Sequence, residues 1–249
     1  MKKLNRIFLA ILLATFAQSA LADLVNGDFE TGDLSGWTAT NNGSAFAIQV
    51  TSGDTVTDAG TIPSSLTGDY FVFTSQTGAG SSFLTQEFTV QAGLKKIFFD
   101  IAIINGANDY YVPDPMSFDY NGEANQQARF DILVPGAALD TVDPADIIVT
   151  AYQTQPGDPL TQDWASFEFD ATTELAPYIG QPVIFRFVQV DNQFFFNLAI
   201  DNVNVGLSAG GGASSTALAV PTMSGYGLVL TVLALLFVAS RRLLKTRAE

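Results

Sequence analysis

Short segments that alternate apolar with polar residues recur through the middle of this chain. In Ser166-Phe167-Glu168-Phe169-Asp170, for example, the two Phe side chains would share one face of an extended strand. The pattern predicts eight strands, at residues 69–74, 83–90, 96–104, 128–134, 146–152, 165–170, 183–190 and 198–205. Segments rich in Gly, Pro, Asn and Asp, such as residues 75–82 and 155–159, separate the strands and predict turns.

Many short strands with turn-rich connections predict an all-β fold, in which two sheets pack face to face as a sandwich. We place this ectodomain at residues 23–205. Residues 172–179 are the segment for which the pattern predicts a brief helical turn, with Thr173 as its cap.

The two ends of the chain predict export and membrane attachment. Residues 1–22 combine a basic start, an apolar segment and Ala20-Leu21-Ala22, a pattern typical of a cleaved secretory signal peptide. Residues 228–239 are predominantly apolar and a basic tail follows, which predicts a transmembrane helix with the tail in the cytoplasm. The alternatives are a second membrane span at the N-terminal end and a buried core helix at the C-terminal end.

Between the ectodomain and the apolar segment, residues 206–219 consist mainly of Gly, Ala and Ser. This composition predicts a flexible linker. The ectodomain would therefore be tethered just above the membrane.

Charge is distributed unevenly along the chain. The segment between the signal peptide and the basic tail contains 24 Asp and Glu residues against four Lys and Arg residues, a net charge of −20. Such a surface repels phosphate backbones, so nucleic-acid binding is disfavoured, whereas divalent cations are natural partners. An acidic surface that has no specific ligand is the alternative.

Cys and His are absent from the sequence. Catalysis by Ser-His-Asp or Cys-His groups is thereby excluded, as are zinc sites built on thiolate or imidazole ligands. Carboxylates, amides, hydroxyls and Tyr side chains remain for chemistry. Paired carboxylates could hydrolyse glycosidic bonds, but with 24 acidic residues such pairs arise by chance.

The C-terminal motif Val-Pro-Thr-Met-Ser-Gly-Tyr-Gly, the apolar segment and the basic residues after it resemble the bacterial IPTL-CTERM sorting signal, a relative of PEP-CTERM signals. The motif residues are Val220, Pro221, Thr222, Met223, Tyr226 and Gly227. The resemblance places the signal at residues 220–249 and implies recognition by an exosortase-type membrane transpeptidase. It also implies display in the envelope or on the surface of bacteria that make exopolysaccharide, with the signal either cleaved or kept as an anchor.

Residues 24–37 and 199–205 resemble the opening and closing segments of PEP-CTERM-type surface proteins and of galactose-binding-like jelly rolls, which include carbohydrate-binding modules. This resemblance implies a jelly-roll sandwich with adjacent first and last strands. It also implies a structural calcium ion between those strands, with Glu30 and Asp201 as ligands and Asp28 as a further candidate. The alternative is that Asp28 lies in a simple turn and that Asp201 is an ordinary carboxylate at a strand end.

The long segment at residues 105–127 joins two predicted strands, and loops of this length are often functional. Tyr rings can stack on apolar sugar faces while amides and carboxylates bind hydroxyl groups. The candidate ligand-binding residues are Asp109, Tyr110, Tyr111, Tyr120 and Asn121. The alternative is that the three Tyr side chains cover the edge of the sandwich, and we expect Trp37 and Trp164 to belong to the core.

These observations leave two principal hypotheses for the ectodomain. In the first, it is a non-enzymatic surface protein with a structural or interactive role in the envelope or the exopolysaccharide matrix. In the second, it is a carbohydrate-binding module that uses the 105–127 segment. A carboxylate-based glycoside hydrolase is a third hypothesis, and Asp140, Asp143 and Asp146 are interpreted as turn residues because their spacing lacks the pattern of a calcium loop.

Overall fold

Alternating apolar side chains place two layers of β-strands against a shared core. A computed structural model describes residues 24–45, 47–74 and 76–206. The predicted signal peptide at residues 1–22, the linker after Gly206 and the sorting signal with its transmembrane helix lie outside the described residues. Among the residues that the structure does describe, no helix has the length and hydropathy needed to span a membrane.

Twelve strands and two short helical segments make up the described part of the chain. The strands are β1 (Thr38–Ala45), β2 (Gln49–Ser52), β3 (Thr55–Val56), β4 (Thr61–Ile62), β5 (Tyr70–Phe73), β6 (Gln76–Thr89), β7 (Lys96–Asn105), β8 (Gln126–Leu133), β9 (Ile147–Gln153), β10 (Thr161–Asp170), β11 (Pro182–Asp191) and β12 (Phe196–Gly206). The helix α1 spans Thr172–Leu175 and a 3-10 turn spans Ala176–Tyr178.

The strands form two five-stranded antiparallel layers. One layer has the order β10-β7-β12-β5-β2. The other has the order β1-β6-β11-β8-β9. A single residue pair between Phe196 of β12 and Gln76 of β6 joins the two layers, and β3 pairs with β4 as a separate hairpin. The predicted all-β fold with two sheets is therefore confirmed.

Aromatic side chains fill the space between the layers. The rings of Phe130 and Phe187 stack with centroids 4.3 Å apart, and those of Phe88 and Phe185 stack at 4.5 Å. Trp37 also belongs to this core, where it is 7% exposed. Such stacked pairs stabilise a core beyond the burial of their surface alone.

Parts of the outer faces of both layers are also covered. Trp164 packs edge-on against Phe71 and donates its Nε1–H to the carbonyl of Pro63, next to the β3–β4 hairpin, so it is only partly exposed. On the other layer, the segment between β7 and β8 lays Phe118 over the guanidinium of Arg186, 5.0 Å from the ring centroid. Part of the long β7–β8 segment thus covers the outer face of this layer.

The beginning and the end of the described chain lie side by side. The amide of Val203 in β12 donates to the carbonyl of Gly27 at 2.8 Å. A side chain at residue 27 would collide with the Val203 carbonyl, which explains the glycine. Since β12 begins at Phe196, it runs from the β11–β12 turn to the opposite end of the sandwich, where the N-terminal loop lies.

All eight predicted strands are present, but two local predictions were wrong. Residues 75–82 were predicted as a turn, whereas Gln76–Thr89 is one strand. β1 and β11 pair with it on both sides and bond its backbone, so small residues such as Ser81 and Ser82 can be buried there. Thr173 is not the cap of the helical turn, since α1 begins at Thr172 and Ala171 occupies the cap position without a side-chain bond.

Candidate functional site

One end of the sandwich gathers three loops into a continuous surface. We call residues 106–125, 155–160 and 192–195 together the loop surface. Asn192 connects two of these loops, because its Nδ2 donates to the carbonyls of Tyr120 and Glu123 at 3.2 and 2.7 Å. Its Oδ1 accepts the amide of Asn125 at 2.8 Å. The β7–β8 segment and the β11–β12 turn are therefore held to each other.

Buried Gln126 fixes the β11–β12 turn from below. Its Nε2 donates to Asn105 Oδ1 at 2.9 Å and to the carbonyl of Phe194 at 3.0 Å. Its Oε1 accepts the amide of Gln193 at 3.2 Å. A side-chain amide with donor and acceptor both engaged in a buried site stabilises one backbone conformation.

Phe194 is the exposed aromatic side chain of this turn, with 56% of its surface accessible. Its ring packs at 61° against Phe195, with centroids 4.7 Å apart. The ring also lies against Gly106, where a Cβ atom would come within 2.7 Å of Phe194 Cδ1. The turn therefore presents an aromatic ring to solvent in a fixed position.

The structure corrects the prediction for Tyr110. This side chain is 2% exposed, packs on Phe196 with centroids 6.0 Å apart and donates its hydroxyl to the carbonyl of Pro159 at 3.1 Å. Burial raises the pKa of the Tyr110 hydroxyl. A ring enclosed in this way cannot stack on a sugar, so Tyr110 belongs to the core.

The other candidate residues of the β7–β8 segment have mixed positions. Tyr111 is partly exposed and pairs through its backbone with Gln126, whereas Tyr120 is partly buried against the outer-face cluster that includes Phe83.

Asp109 Oδ1 accepts the amides of Tyr110 and Gly157 at 2.8 and 2.7 Å. Asn121 is exposed, and its amide donates to Asp119. The loop surface therefore retains Tyr111 and Asn121 as accessible candidates.

A buried carboxyl supports the same turn. Asp191 is 2% exposed, and its Oδ2 has no hydrogen-bond partner among the described residues. Burial raises the pKa of Asp191 to about 7, although bonds from the backbone amides of Gln193 and Phe194 act in the opposite direction. Burial thus favours the neutral form of this carboxyl group.

The predicted calcium ligands lie at the opposite end, where the N-terminal loop meets β12. Glu30 Oε1 accepts the amides of Asp69 and Tyr70 at 2.9 and 3.0 Å. Asp28 is exposed, and its Oδ1 accepts the amide of Glu30 at 3.5 Å. Asp201 is 1% exposed and accepts the amide of Asn202 at 2.7 Å.

Electrostatics at Asp201 are unfavourable for a carboxylate. Burial is the main cause that raises the pKa of Asp201 to about 8, and the charges of Asp100, Glu30 and Asp28 add to it. The salt bridges of the described residues lie elsewhere, so no cation offsets these four carboxyl groups. An added divalent cation would relieve this repulsion.

The donor chemistry fits calcium, which is bound by carboxylate, amide and carbonyl oxygens. The geometry fits less closely. Within residues 24–206, apart from the two undescribed positions, no three acidic side chains converge tightly enough to form a metal cage. Binding would therefore require side chains such as Asp28 to turn inward, and the exposure of Asp28 allows such a movement.

Raised carboxyl pKa values can indicate a general acid for glycoside hydrolysis. Here the two carboxyl groups concerned, Asp191 and Asp201, are buried and cannot contact a polysaccharide. Asp143 and Asp146 accept local bonds from Ala145 and Thr141, as expected for turn residues. The geometry therefore gives the hydrolase hypothesis no support.

Phe194 was not among the candidates predicted from the sequence. A usable signal was present, because three consecutive Phe residues follow the polar Asp191-Asn192-Gln193 segment. Period-two alternation can bury Phe196 in a strand, but it leaves at least one neighbouring ring outside the core.

No family model matches this sequence, and no curated protein matches it. Similar solved structures include a carbohydrate-binding module studied for promiscuous specificity within the β-sandwich superfamily. It is 17% identical, with a TM-score of 0.43, and the alignment covers 76% of this chain and 64% of that chain. The chain thus spans less than two thirds of that structure.

Two further similar structures are another carbohydrate-binding module and an adhesin domain. The carbohydrate-binding module TmCBM61, solved in complex with β-1,4-galactotriose, is 14% identical with a TM-score of 0.45, covering 74% of this chain and 97% of that one. The K1 cleaved adhesin domain of Lys-gingipain from Porphyromonas gingivalis is 9% identical with a TM-score of 0.41. The alignment covers 73% of this chain and 96% of that domain. These values do not place the chain in any of these families.

Proposed function

We propose that the ectodomain is a non-catalytic glycan-binding module that contacts its ligand through the loop surface. The observation that carries this proposal is Phe194, a ring that is 56% exposed yet fixed by Gln126 below it and by Gly106 beside it. An exposed aromatic ring in a fixed position offers a ligand a flat surface on which to stack.

The surroundings of Phe194 suit a sugar. Gln193 is exposed on the same turn, and Tyr111 and Asn121 are accessible on the neighbouring segment. Rings stack on the apolar face of a pyranose, while amides and hydroxyls bond to its hydroxyl groups. The rigidity of the turn reduces the ordering cost of binding.

A glycan array probed with the full-length protein tests this proposal. We expect saturable binding to one class of glycan, and we expect Phe194→Ala to weaken it at least tenfold because the stacking surface is removed. Tyr111→Ala should give a smaller loss.

Ile179→Ala is the matched control. Ile179 is also a large apolar side chain, 52% exposed, and it lies at the opposite end of the sandwich beside the start of β11. Loss of glycan binding in Ile179→Ala, or unchanged binding in Phe194→Ala, would contradict the proposed site.

The proposal includes a location outside the cytoplasmic membrane. It is supported by the signal-peptide pattern at residues 1–22, the apolar segment with its basic tail and the resemblance to an IPTL-type signal. An exosortase-type enzyme is the partner implied, and exopolysaccharide is the ligand class that such an envelope location offers.

We also propose that a structural calcium ion joins the N-terminal loop to β12 through Asp28, Glu30 and Asp201. Support comes from the buried Asp201 carboxyl, whose neighbouring charges are all negative. When bound, calcium would supply the positive charge that this group of side chains lacks. Asp201 would hold the ion from β12, and the other two carboxylates from the loop.

A further inference from the structure

A groove of about 350 Å³ lies on the outer face of the β8–β9 pair. Its walls are mainly aliphatic, and they come from the β7–β8 segment, β8, the β8–β9 connection and β9. The residues that line it are Met116, Arg129, Val142, Pro144, Ile147, Ile148, Val149 and Thr150. Its volume is at the lower end of the range for small-molecule sites.

Arg129 is the charged side chain of this groove, and only 7% of it is exposed. Its Nε donates to Asp131 Oδ1 at 2.6 Å and its Nη2 donates to Thr150 Oγ1 at 2.7 Å. Its Nη1 has no hydrogen-bond partner among the described residues. A guanidinium has five N–H donors, so this group has capacity left for a ligand.

The charge next to the groove is not balanced by its neighbours. Asp131 is fully buried and serves both Arg129 and Arg186, one on each carboxylate oxygen. One negative charge is thus shared between two guanidinium groups. Asp140 adds a further negative charge, but its interaction is with Arg186. Arg129 is therefore left with part of its charge uncompensated in a protein whose surface is otherwise strongly acidic.

We propose that this groove binds an aliphatic carboxylate, with the carboxylate on Arg129 and the hydrocarbon chain between Met116, Val142 and Ile147. A guanidinium recognises carboxylate through parallel N–H bonds, and partial burial strengthens such charge-assisted contacts. Aliphatic walls gain from covering a hydrocarbon chain. The site shares Met116 with the loop surface but contains none of Phe194, Tyr111 and Asn121, so it does not depend on glycan binding.

Two other occupants fit the groove less well. A sugar would find no aromatic ring among the lining residues and few polar partners. A peptide strand added to the edge of β9 would meet an interrupted ladder, because the register between β8 and β9 shifts at two places. Irregularities of this kind oppose edge pairing.

Methyl NMR on the full-length protein, labelled at Met and Ile methyl groups in lipid nanodiscs, tests the proposal. Sodium octanoate is the probe, and 1-octanol and acetate provide the chain and the carboxylate separately. We expect octanoate to shift the Met116 and Ile147 resonances saturably, and each of the other two probes to bind at least tenfold more weakly. Equal binding of octanoate and 1-octanol would overturn the role of Arg129.

Three variants locate the site. Pro144→Trp fills the groove from an exposed wall position, so it should reduce octanoate affinity at least tenfold without disturbing the core. Pro156→Trp places the same bulk on an exposed turn outside the groove and should leave the affinity unchanged. Arg129→Lys keeps the charge but loses the planar fork, and it should bind octanoate at least tenfold more weakly. Unchanged affinity in Pro144→Trp, or no octanoate shift in the parent protein, would refute the proposal.

Discussion

Three fully buried Asp side chains differ in whether a positively charged group lies beside the carboxyl. Asp131 bonds to two arginines and is thereby compensated in its charged form. Asp191 and Asp201 have no such partner among the described residues, and burial raises the pKa of each to about 7 and about 8. The groups that surround each carboxyl therefore decide whether its negative charge is compensated.

Asp191 predicts a specific pH dependence of stability. Its pKa in the folded protein, about 7, lies above the ordinary value of 3.8, so the folded state keeps a proton that the unfolded chain releases. Stability from this group is complete below pH 3.8 and is lost as the pH rises towards 7, by up to about 1.4 kcal/mol per pH unit. Asp191→Asn should therefore flatten the decline of unfolding free energy between pH 4 and 7, as measured by urea denaturation.

The control for this effect is Asp163→Asn, which changes an exposed carboxylate on β10. It should leave the slope unchanged. Asp201 contributes to the slope in the same direction, so Asp191→Asn should reduce the slope without abolishing it. A variant with the slope of the parent protein would show that Asp191 is charged in the folded state.

At the scale of elements, the alternation of apolar and polar residues predicted the strands that have one apolar and one more polar face. It missed β1, whose sequence Thr-Ala-Thr-Asn-Asn-Gly-Ser-Ala has no apolar alternation and forms a strand because it pairs with β6. The same lack of alternation hid the first half of β6. Pairing partners far apart in sequence, such as Thr38 with Thr85, decide these segments, and local pattern does not contain that information.

The candidate site was predictable only in part. The length of the 105–127 segment indicated a structured loop, but burial of Tyr110 depends on Phe196 and on Pro159, which lie 86 and 49 residues away in sequence. Likewise, the fixed position of Phe194 depends on Gln126. Such contacts between distant segments exist only in the folded chain.

Calcium should stabilise the junction between the N-terminal loop and β12. At a free concentration one hundred times its Kd, calcium would add about 2.7 kcal/mol to the unfolding free energy. We expect a higher melting temperature of the full-length protein in calcium than in chelator, and no increase with magnesium, which prefers a strict octahedral site.

Asp201→Asn should remove most of the calcium effect, because the candidate ligand on β12 loses its charge. Asp143→Asn, on the exposed β8–β9 connection, serves as the matched control and should keep the effect. An identical melting temperature of the parent protein with and without calcium would exclude a structural ion.

At the scale of the whole molecule, charge follows the predicted compartments. Four of the 11 Lys and Arg residues belong to the C-terminal tail and three to the first six residues, so the middle of the chain is left almost purely acidic. The four basic residues that follow the apolar segment agree with the positive-inside rule for the predicted cytoplasmic tail.

Fractionation of cells that produce a tagged protein tests this arrangement. We expect the protein in the envelope or surface fraction, with a lower mass after removal of the C-terminal signal. Changing Pro221 and Thr222 together to Ala should retain the full-length form in the membrane. Equal masses and equal distribution of both proteins would indicate an anchor that is not processed, and recovery in the cytoplasm would contradict export.

The course of β12 has a practical consequence for measurements. Its 11 residues span about 35 Å, at roughly 3.3 Å per residue, from the turn that bears Phe194 to Gly206. A sensor chip that couples the protein through Lys95 or Lys96, which pair with Gly206 at the opposite end, should therefore leave that ring free for ligands in solution.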